Sequence, residues 1–426
     1  MERFDVLVLG GGPAGLAAAL AAEEQGACVC LLEREARLGG ILKQCIHDGF
    51  GLLRFGERLT GPEYADNYIR LLGGRNIAVR LRSFVTSLEK SGGGFAVTYT
   101  SRGGLHRLEA GALVLATGCR ERTARQIFVH GDKPAGVYTA GTAQHLVNLQ
   151  GVLPTRRCVI LGSGDIGLIM ARRLTLEGAE VEGVYEAKPE PSGLSRNIRQ
   201  CLTDFGIPLH LSHTVTRVLG EGRVEAVETA RVDERMKPVP GSERLVPCDA
   251  LILSVGLIPE NELAESLGIP LDPHTKGPAV DARFETDCPG VFCCGNAVQV
   301  HDLVDYVSEG AATAGRCAAL RALGKEAAPA PALPVEYGRE FVSVLPQRLR
   351  PGNEPAACYF RVAETRGPTR LVVSQGGAVL LQKSYRRLRP PEMERVSLRP
   401  GGSGPVVFRL EDAAEKAQNG PAAAPL

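Results

Sequence analysis

One pattern occurs twice in this chain and limits its fold more than any other feature. Gly10-x-Gly12-x-x-Gly15 recurs as Gly162-x-Gly164-x-x-Gly167, about 150 residues later. Each copy follows a short apolar run and opens an Ala- or Leu-rich one. Phe4–Leu9 reads as a buried strand, Pro13–Gln25 as a helix and Cys28–Leu32 as a second parallel strand. In the second copy the strands are Cys158–Leu161 and Val181–Tyr185, and the helix is Ile166–Glu177. Both are βαβ units. The first glycine of each permits a tight turn. The second lets backbone approach a pyrophosphate, and the third lets helix pack closely on strand. A helix N-terminus, here opened by Pro13-Ala14 and by Asp165-Ile166, offers N–H groups and a positive dipole end to phosphate.

An acidic residue follows each turn at the spacing that serves a ribose. Glu33 lies 21 residues after Gly12 (33 − 12), and Glu186 lies 22 after Gly164 (186 − 164). A turn needed for packing alone does not account for Glu33. At Glu186 the carboxylate accepts from ribose hydroxyls and repels a 2′-phosphate, which favours NAD(H) over NADP(H). Lys188 and Arg196 work against that preference, and a solvated strand-end residue is the bland alternative.

Between the two units, Phe84–Leu88, Phe95–Tyr99 and Leu105–Leu108 read as antiparallel strands, and Ala112–Ala116 as a core strand. After the second unit come Leu209–Leu211, Val215–Leu219, Val224–Arg231 and Ala250–Val255, then a buried strand Val291–Cys294 and a helix across Leu303–Leu323. A Pro/Ala linker, Lys325–Pro334, precedes short strand runs split by Gly and Pro. The expected class is α/β. Two Rossmann-like three-layer domains are expected, the nicotinamide domain (121–274) inserted in the first (1–120 and 275–325). A small all-β domain (335–410) and a disordered tail (411–426) complete the chain.

Composition excludes several classes. The chain has 426 residues, 44% hydrophobic, with 49 Lys+Arg against 48 Asp+Glu. It therefore builds packed cores. No basic block marks it for nucleic acid. The start has no signal-peptide pattern, and no apolar run reaches the ~18 residues of a membrane helix. Twelve cysteines are scattered, several (Cys28, Cys30, Cys293, Cys294) in expected core strands. That usage suits free thiols in a reducing compartment, so a cytoplasmic location is expected.

Val114-Leu115-Ala116-Thr117-Gly118 and Gly290-Val291-Phe292-Cys293-Cys294-Gly295-Asn296-Ala297 complete a familiar order. With the two fingerprints they resemble the pyridine nucleotide-disulfide oxidoreductase-like flavoproteins over about Phe4–Leu323. The resemblance implies FAD at the first turn, held by Gly10, Gly12, Pro13, Ala14, Gly15, Glu33, Arg34, Gly40, Thr117, Gly118, Gly295 and Asn296. It implies NAD(H) at Gly162, Gly164, Asp165, Ile166, Gly167 and Glu186. The second FAD signature usually ends in Gly-Asp, where this chain has Asn296, which can still hydrogen-bond without adding charge.

Four longer runs resemble a bacterial subgroup in which that Asn is usual. They are Gly39–Leu52 (GGILKQCIHDGFGL), Gly136–Gln144, Val159–Ala179 and His301–Gly315. The subgroup includes subunits of opine oxidases, cyanide synthase and amino-acid dehydrogenases. It also includes proteins that accompany an anaerobic-type glycerol-3-phosphate dehydrogenase. This resemblance implies two partners, a small iron–sulfur protein and a second flavoprotein subunit. It also implies a small-molecule substrate.

Disulfide reductases of the wider family carry Cys-x4-Cys shortly after the ribose acid. Here only Cys45 lies in that region, with no second cysteine within ten residues. A redox disulfide needs Cα atoms about 5.5 Å apart, and no local pair offers this. Cys45 is either a single redox-active thiol or a packed one. His47 is either a proton donor or part of a loop. Adjacent Cys293 and Cys294 point to opposite faces of a strand and read as core. No cysteine spacing suggests a zinc or iron–sulfur site.

The leading expectation is an enzyme passing hydride between nicotinamide and flavin, and electrons to or from a partner. The helix expected near Asp302 presents its N-terminus to the flavin by family geometry, and His301 just before it either adds charge or faces solvent. The alternatives are a free-standing NADH oxidase or peroxidase using Cys45, and a non-catalytic flavin-bound scaffold. Glu336–Leu410 has no chemical motif and reads as structural or interactional.

Overall fold

The structure is a computed structural model and describes residues 2–326, 331–352 and 354–412. The linker positions 327–330 and the tail positions 413–426 lie outside the described residues.

The first sheet grows from the opening βαβ unit. Its order is Ile77–Arg80, Val29–Leu32, Glu2–Leu9, Gly104–Leu115, Gly94–Ser101 and Phe84–Ser91. Val6, Leu7, Val8 and Leu9 lie parallel to Val29, Cys30, Leu31 and Leu32, and all eight are buried in the core of the first domain. Gly104–Leu115 is one continuous strand, where two were expected. Its first half pairs antiparallel with Gly94–Ser101, and its last three residues pair parallel with Val291–Cys293. Gly111 lets the strand pass close to its neighbours. A Cβ there would lie 3.1 Å from the Asp5 carbonyl oxygen and 3.2 Å from Ala322 Cβ.

The helices Pro13–Glu23 and Val304–Ala322 cross on this sheet. Their contact depends on small residues, since a Cβ on Gly315 would lie 2.0 Å from the Ala18 carbonyl oxygen. Cys30, Cys293 and Cys294 are buried here. Cys28 is exposed, because it precedes the strand instead of lying in it.

The chain leaves this domain through Cys119–Glu121 and returns through Leu257–Pro259, the two strands pairing antiparallel. Between them stands a five-stranded parallel sheet. Its order is Val137–Thr139, Ala250–Leu253, Arg157–Leu161, Glu180–Glu186 and Leu209–Leu211. A four-stranded sheet, His130–Gly131, His213–Leu219, Ala226–Arg231 and Arg244–Pro247, packs beside it. After the return, Ala264, Ile269 and Val280 rejoin the first core. The whole is two three-layer Rossmann units, one inserted in the other.

The C-terminal residues form two sheets. Five strands run in the order Arg348–Leu349, Leu333–Tyr337, Val406–Asp412, Thr369–Gln375, Ala378–Tyr385, and three in the order Phe341–Leu345, Ala356–Val362, Glu394–Leu398. The strand Val406–Asp412 runs two residues into the expected tail. Phe341, Phe360, Leu371 and Phe408 fill the core between the sheets. Leu345, Tyr359 and Met393 belong instead to the core of the first domain.

Candidate active-site cleft

A cleft of about 3290 Å³ runs without interruption past both glycine-rich turns. At the first, Gly10 has φ +111°, and a Cβ on it would lie 2.3 Å from the Ala116 carbonyl oxygen. A Cβ on Gly15 would lie 1.7 Å from the Gly10 carbonyl oxygen. Gly12 faces open space, its Cβ position meeting nothing nearer than Gly40 at 3.8 Å. Helix Pro13–Glu23 begins there with no side-chain cap. Its first N–H groups are therefore left for a ligand such as phosphate, which is the fit a pyrophosphate requires.

Glu33 is buried, and both its oxygens are engaged by backbone. Gly11 N donates to Oε2 at 2.6 Å and Glu35 N to Oε1 at 2.7 Å. The carboxylate thereby holds the turn and keeps lone pairs for a ribose. Arg34 pairs with Glu260 at 3.0 Å. Thr117 Oγ1 donates to the Glu260 carbonyl at 2.6 Å, and Glu260 N to the Gly118 carbonyl at 3.0 Å. Arg34, Thr117 and Gly118 thus line the cleft while fastening the returning chain. Gly15 and Gly295 do not line it. Gly295 lets the loop lie on Ala14, where a Cβ would approach to 2.8 Å. Asn296 does line it, accepting from His301 N at 3.1 Å and donating to Cys119 Sγ at 3.6 Å.

The second turn repeats the design. Gly162 has φ +96°, and its Cβ would lie 2.1 Å from the Ser254 carbonyl oxygen. Gly167 N donates to Ser254 Oγ at 3.0 Å. Glu186 is buried like Glu33, taking Ser163 N on Oε2 at 3.0 Å and Lys188 N on Oε1 at 3.1 Å. Gly164, Asp165 and Ile166 line the cleft. Asp165, however, directs Oδ1 to Leu194 N (2.9 Å) and Asn197 Nδ2 (2.7 Å). It anchors the segment that flanks the turn.

Cys45 and His47 also line the cleft. Cys45 is 5% exposed and packs with Sγ 3.4 Å from the Ile41 carbonyl and 3.8 Å from Gln144 Oε1. Burial pushes its thiol up to about 12. A neutral thiol is a poor nucleophile. All twelve cysteines are free. Burial lowers the His47 imidazole below its ordinary value, with Asp48 raising it and Arg196 lowering it. His47 Nδ1 is buried and lacks a hydrogen-bond partner.

His301 adds no charge, and its ring lies in the cleft wall. It is half-buried there, and desolvation pushes its imidazole down to about 4 despite a hydrogen bond to Gln299. A carbonyl only accepts, so Nδ1 donates to the Gln299 oxygen at 2.7 Å and Nε2 keeps its lone pair. The helix beyond begins at Val304, one residue after the expected Leu303, without a side-chain cap.

Sequence reading missed two groups of residues. Gln44 and Gln144 bring the two domains together, and Glu121 holds the start of the helix Ala140–Gln150. Gln44 Nε2 donates to the Gly141 carbonyl at 2.8 Å and to Gln144 Oε1 at 3.1 Å, while Gly141 N donates to Glu121 at 2.7 Å. The second is Arg361 of the C-terminal domain, which lines the cleft beside Val300, His301 and Asp302. Its strand carries no local signal of this.

Comparison with known proteins gives the family and the fold. The family model described as pyridine nucleotide-disulphide oxidoreductase matches residues 4–316. The hydrogen cyanide synthase subunit HcnB of Pseudomonas aeruginosa is 28% identical, over 82% of this chain and 77% of that protein. An opine oxidase subunit of Agrobacterium tumefaciens is also 28% identical, over 76% of this chain and 66% of that protein. In fold, the chain is similar to thioredoxin reductase of T. acidophilum, with a TM-score of 0.61 and 23% identity over 76% of this chain and all of that one. No helix among the described residues is long and apolar enough to cross a membrane.

Proposed function

The chain belongs to the pyridine nucleotide-disulphide oxidoreductase family, whose members use FAD and NAD(P)H, and from that premise we propose that it is an NAD(H)-linked flavoprotein subunit of a multi-component dehydrogenase. In that reading the cleft would hold FAD and the nicotinamide nucleotide for direct hydride exchange, with a partner flavoprotein or iron–sulfur subunit as the electron partner. The carrying observation is the continuous cleft that joins both glycine-rich turns, in which Cys45 is buried with its thiol held protonated.

Bound FAD supplies hydride acceptance and the release of electrons singly. The chain supplies the rest. The N-terminus of Pro13–Glu23 and Glu33 bind the pyrophosphate and ribose of FAD. The N-terminus of Asp165–Leu176 and Glu186 do the same for the nicotinamide nucleotide, with Glu186 selecting against a 2′-phosphate. The N-terminus of Val304–Ala322 turns its positive dipole end to the cleft and stabilises negative charge there. The thiol route is disfavoured by the burial of Cys45, and a partner is favoured by the relatives, two of which are named as subunits.

The test is rapid mixing of the FAD-loaded protein with NADH or NADPH under anaerobic conditions, followed by dye or air. The reading expects faster flavin bleaching by NADH, rapid dye reduction and slow oxygen turnover. Fast oxygen turnover supports an oxidase instead, and absence of bleaching supports a scaffold.

A further inference from the structure

Four successive residues of the first domain each find a partner in the C-terminal β domain. Gln299 Nε2 donates to Ser343 Oγ at 2.6 Å, both buried. The Val300 carbonyl accepts from Arg361 Nη2 at 3.3 Å. The His301 ring meets Tyr359 edge-on at 5.6 Å between centroids. Asp302 pairs with Arg361 and accepts from Met393 N at 2.6 Å. This run bridges Asn296 and the helix Val304–Ala322, and Val300, His301 and Asp302 line the cleft.

Arg361 is the hub of that contact. Nη1 donates to the Pro391 carbonyl at 2.9 Å and the Pro390 carbonyl at 3.3 Å, while Nη2 serves Val300 and Asp302. Its planar fork thus ties the β domain's own turn to the cleft wall. The ion pair is largely withdrawn from water, each side chain being 17% exposed. Behind it, Glu309 on the same helix accepts from Tyr359 Oη and from Arg395 Nε, both at 2.7 Å. The β domain therefore grips the helix and the segment leading into it. Among the described residues, Arg361 is the one member of that domain that lines the cleft.

We propose that the C-terminal β domain is a working part of the flavin site, and that Arg361 is a positioning residue that fixes Val300–Asp302 and neutralises Asp302 beside the flavin end of the cleft. The inference rests on the assignment of FAD to the first cradle. Its physical content is a charge balance. A reduced flavin carries more negative charge than an oxidised one. An unpaired carboxylate in the wall opposes reduction, and an unpaired guanidinium assists it. At partial burial such terms are weakly screened.

The experiment measures the midpoint potential of bound FAD by spectroelectrochemical titration at about pH 8, where an unpaired carboxylate is ionised. The full-length proteins compared are wild type, Arg361→Gln, Asp302→Asn, the double variant and Arg361→Lys. Arg361→Gln is expected to lower the reduction equilibrium about tenfold, a shift of about 30 mV for a two-electron couple. Asp302→Asn is expected to shift it the opposite way by a similar factor. The double variant is expected to return to within about threefold of wild type, as charge compensation requires. Arg361→Lys keeps the charge and is expected to stay close to wild type while its visible flavin spectrum changes, because the fork is lost.

A purely structural role moves both single variants in the same direction, and that result, or no movement in either, overturns the proposal. Should Arg361→Gln fail to fold, a zero or negative shift in Asp302→Asn overturns it alone. Failure of the wild-type protein to bind FAD defeats the functional reading instead, so the two failures are distinct.

Discussion

Replacing Glu186 by Gln tests the nicotinamide site at its most informative atom. The native carboxylate presents an acceptor on each side: Oε2 to Ser163 N and Oε1 to Lys188 N. A glutamine has one acceptor oxygen and one NH2 group. With its oxygen toward Ser163, its NH2 group faces the Lys188 N–H, and that donor loses its partner. A lost hydrogen bond to a charged group costs about 1.5–3 kcal/mol. Within an insert of this size, each kcal/mol corresponds to about 2–4 °C in melting temperature. Binding changes in the other direction for NADPH. A carboxylate and one phosphate charge separated by about 5 Å repel by about 1–3 kcal/mol for effective dielectrics between bulk water and about 20. Loss of that repulsion raises the NADPH-to-NADH ratio of kcat/KM by about 5- to 150-fold. The assay is anaerobic dye reduction with each nucleotide, beside a melting curve. A ratio unchanged within about twofold in a stable variant refutes the argument that Glu186 selects the nucleotide.

Three further outcomes follow from the same geometry. Gly15→Ala drives a Cβ against the Gly10 carbonyl, 1.7 Å away before relaxation, so the purified variant is expected to lose most of its flavin absorbance per chain; full retention contradicts the close helix–strand contact. Cys45→Ser is expected to keep at least half of the NADH:dye activity, and the wild-type thiol to resist a thiolate-seeking reagent at about pH 8, since burial pushes it up to about 12; loss of activity in a folded variant returns the thiol to the mechanism. His301 is depressed to about 4 in the folded chain, so the unfolded chain takes the proton first as pH falls. Its stabilising contribution is present above the unfolded value near 6.5 and is lost as pH falls through about 4, costing on the order of 3 kcal/mol across that window. Urea unfolding of wild type and His301→Gln at pH values spanning the window is expected to show their stability difference shrinking toward acid, and a constant difference contradicts the neutral ring.

The glycine turns and their acids were legible because they are local. Gly10, Gly15 and Gly162 are required by contacts with backbone a few residues away or on the next strand, and Glu33 and Glu186 stand at a spacing set by one strand and one helix. The helix Gly61–Leu72 was also signalled, by the capping box of Thr60 and Glu63 and by the buried face of Tyr64, Ala65 and Tyr68, and was not read. Ala140–Gln150, capped by Thr139, was not read either. Gly104–Leu115 was read as two strands, although Gly111 lets one strand pass close to the helix Val304–Ala322. Asp165 sits where a phosphate-binding residue is expected, but its partners, Leu194 and Asn197, lie about thirty residues on. Arg361 was invisible for a stronger reason. Its partner Asp302 is fifty-nine positions away and in another domain, and no periodicity records such a pairing.

The most direct test of the account is the number of NADH equivalents that the FAD-loaded protein consumes without oxygen. A direct path between nicotinamide and flavin, with Cys45 buried and no cysteine paired, has room for one two-electron centre. The account predicts that one equivalent of NADH per FAD bleaches the flavin completely, with no further consumption. Uptake of a second equivalent, or a flavin that NADH leaves oxidised, contradicts it.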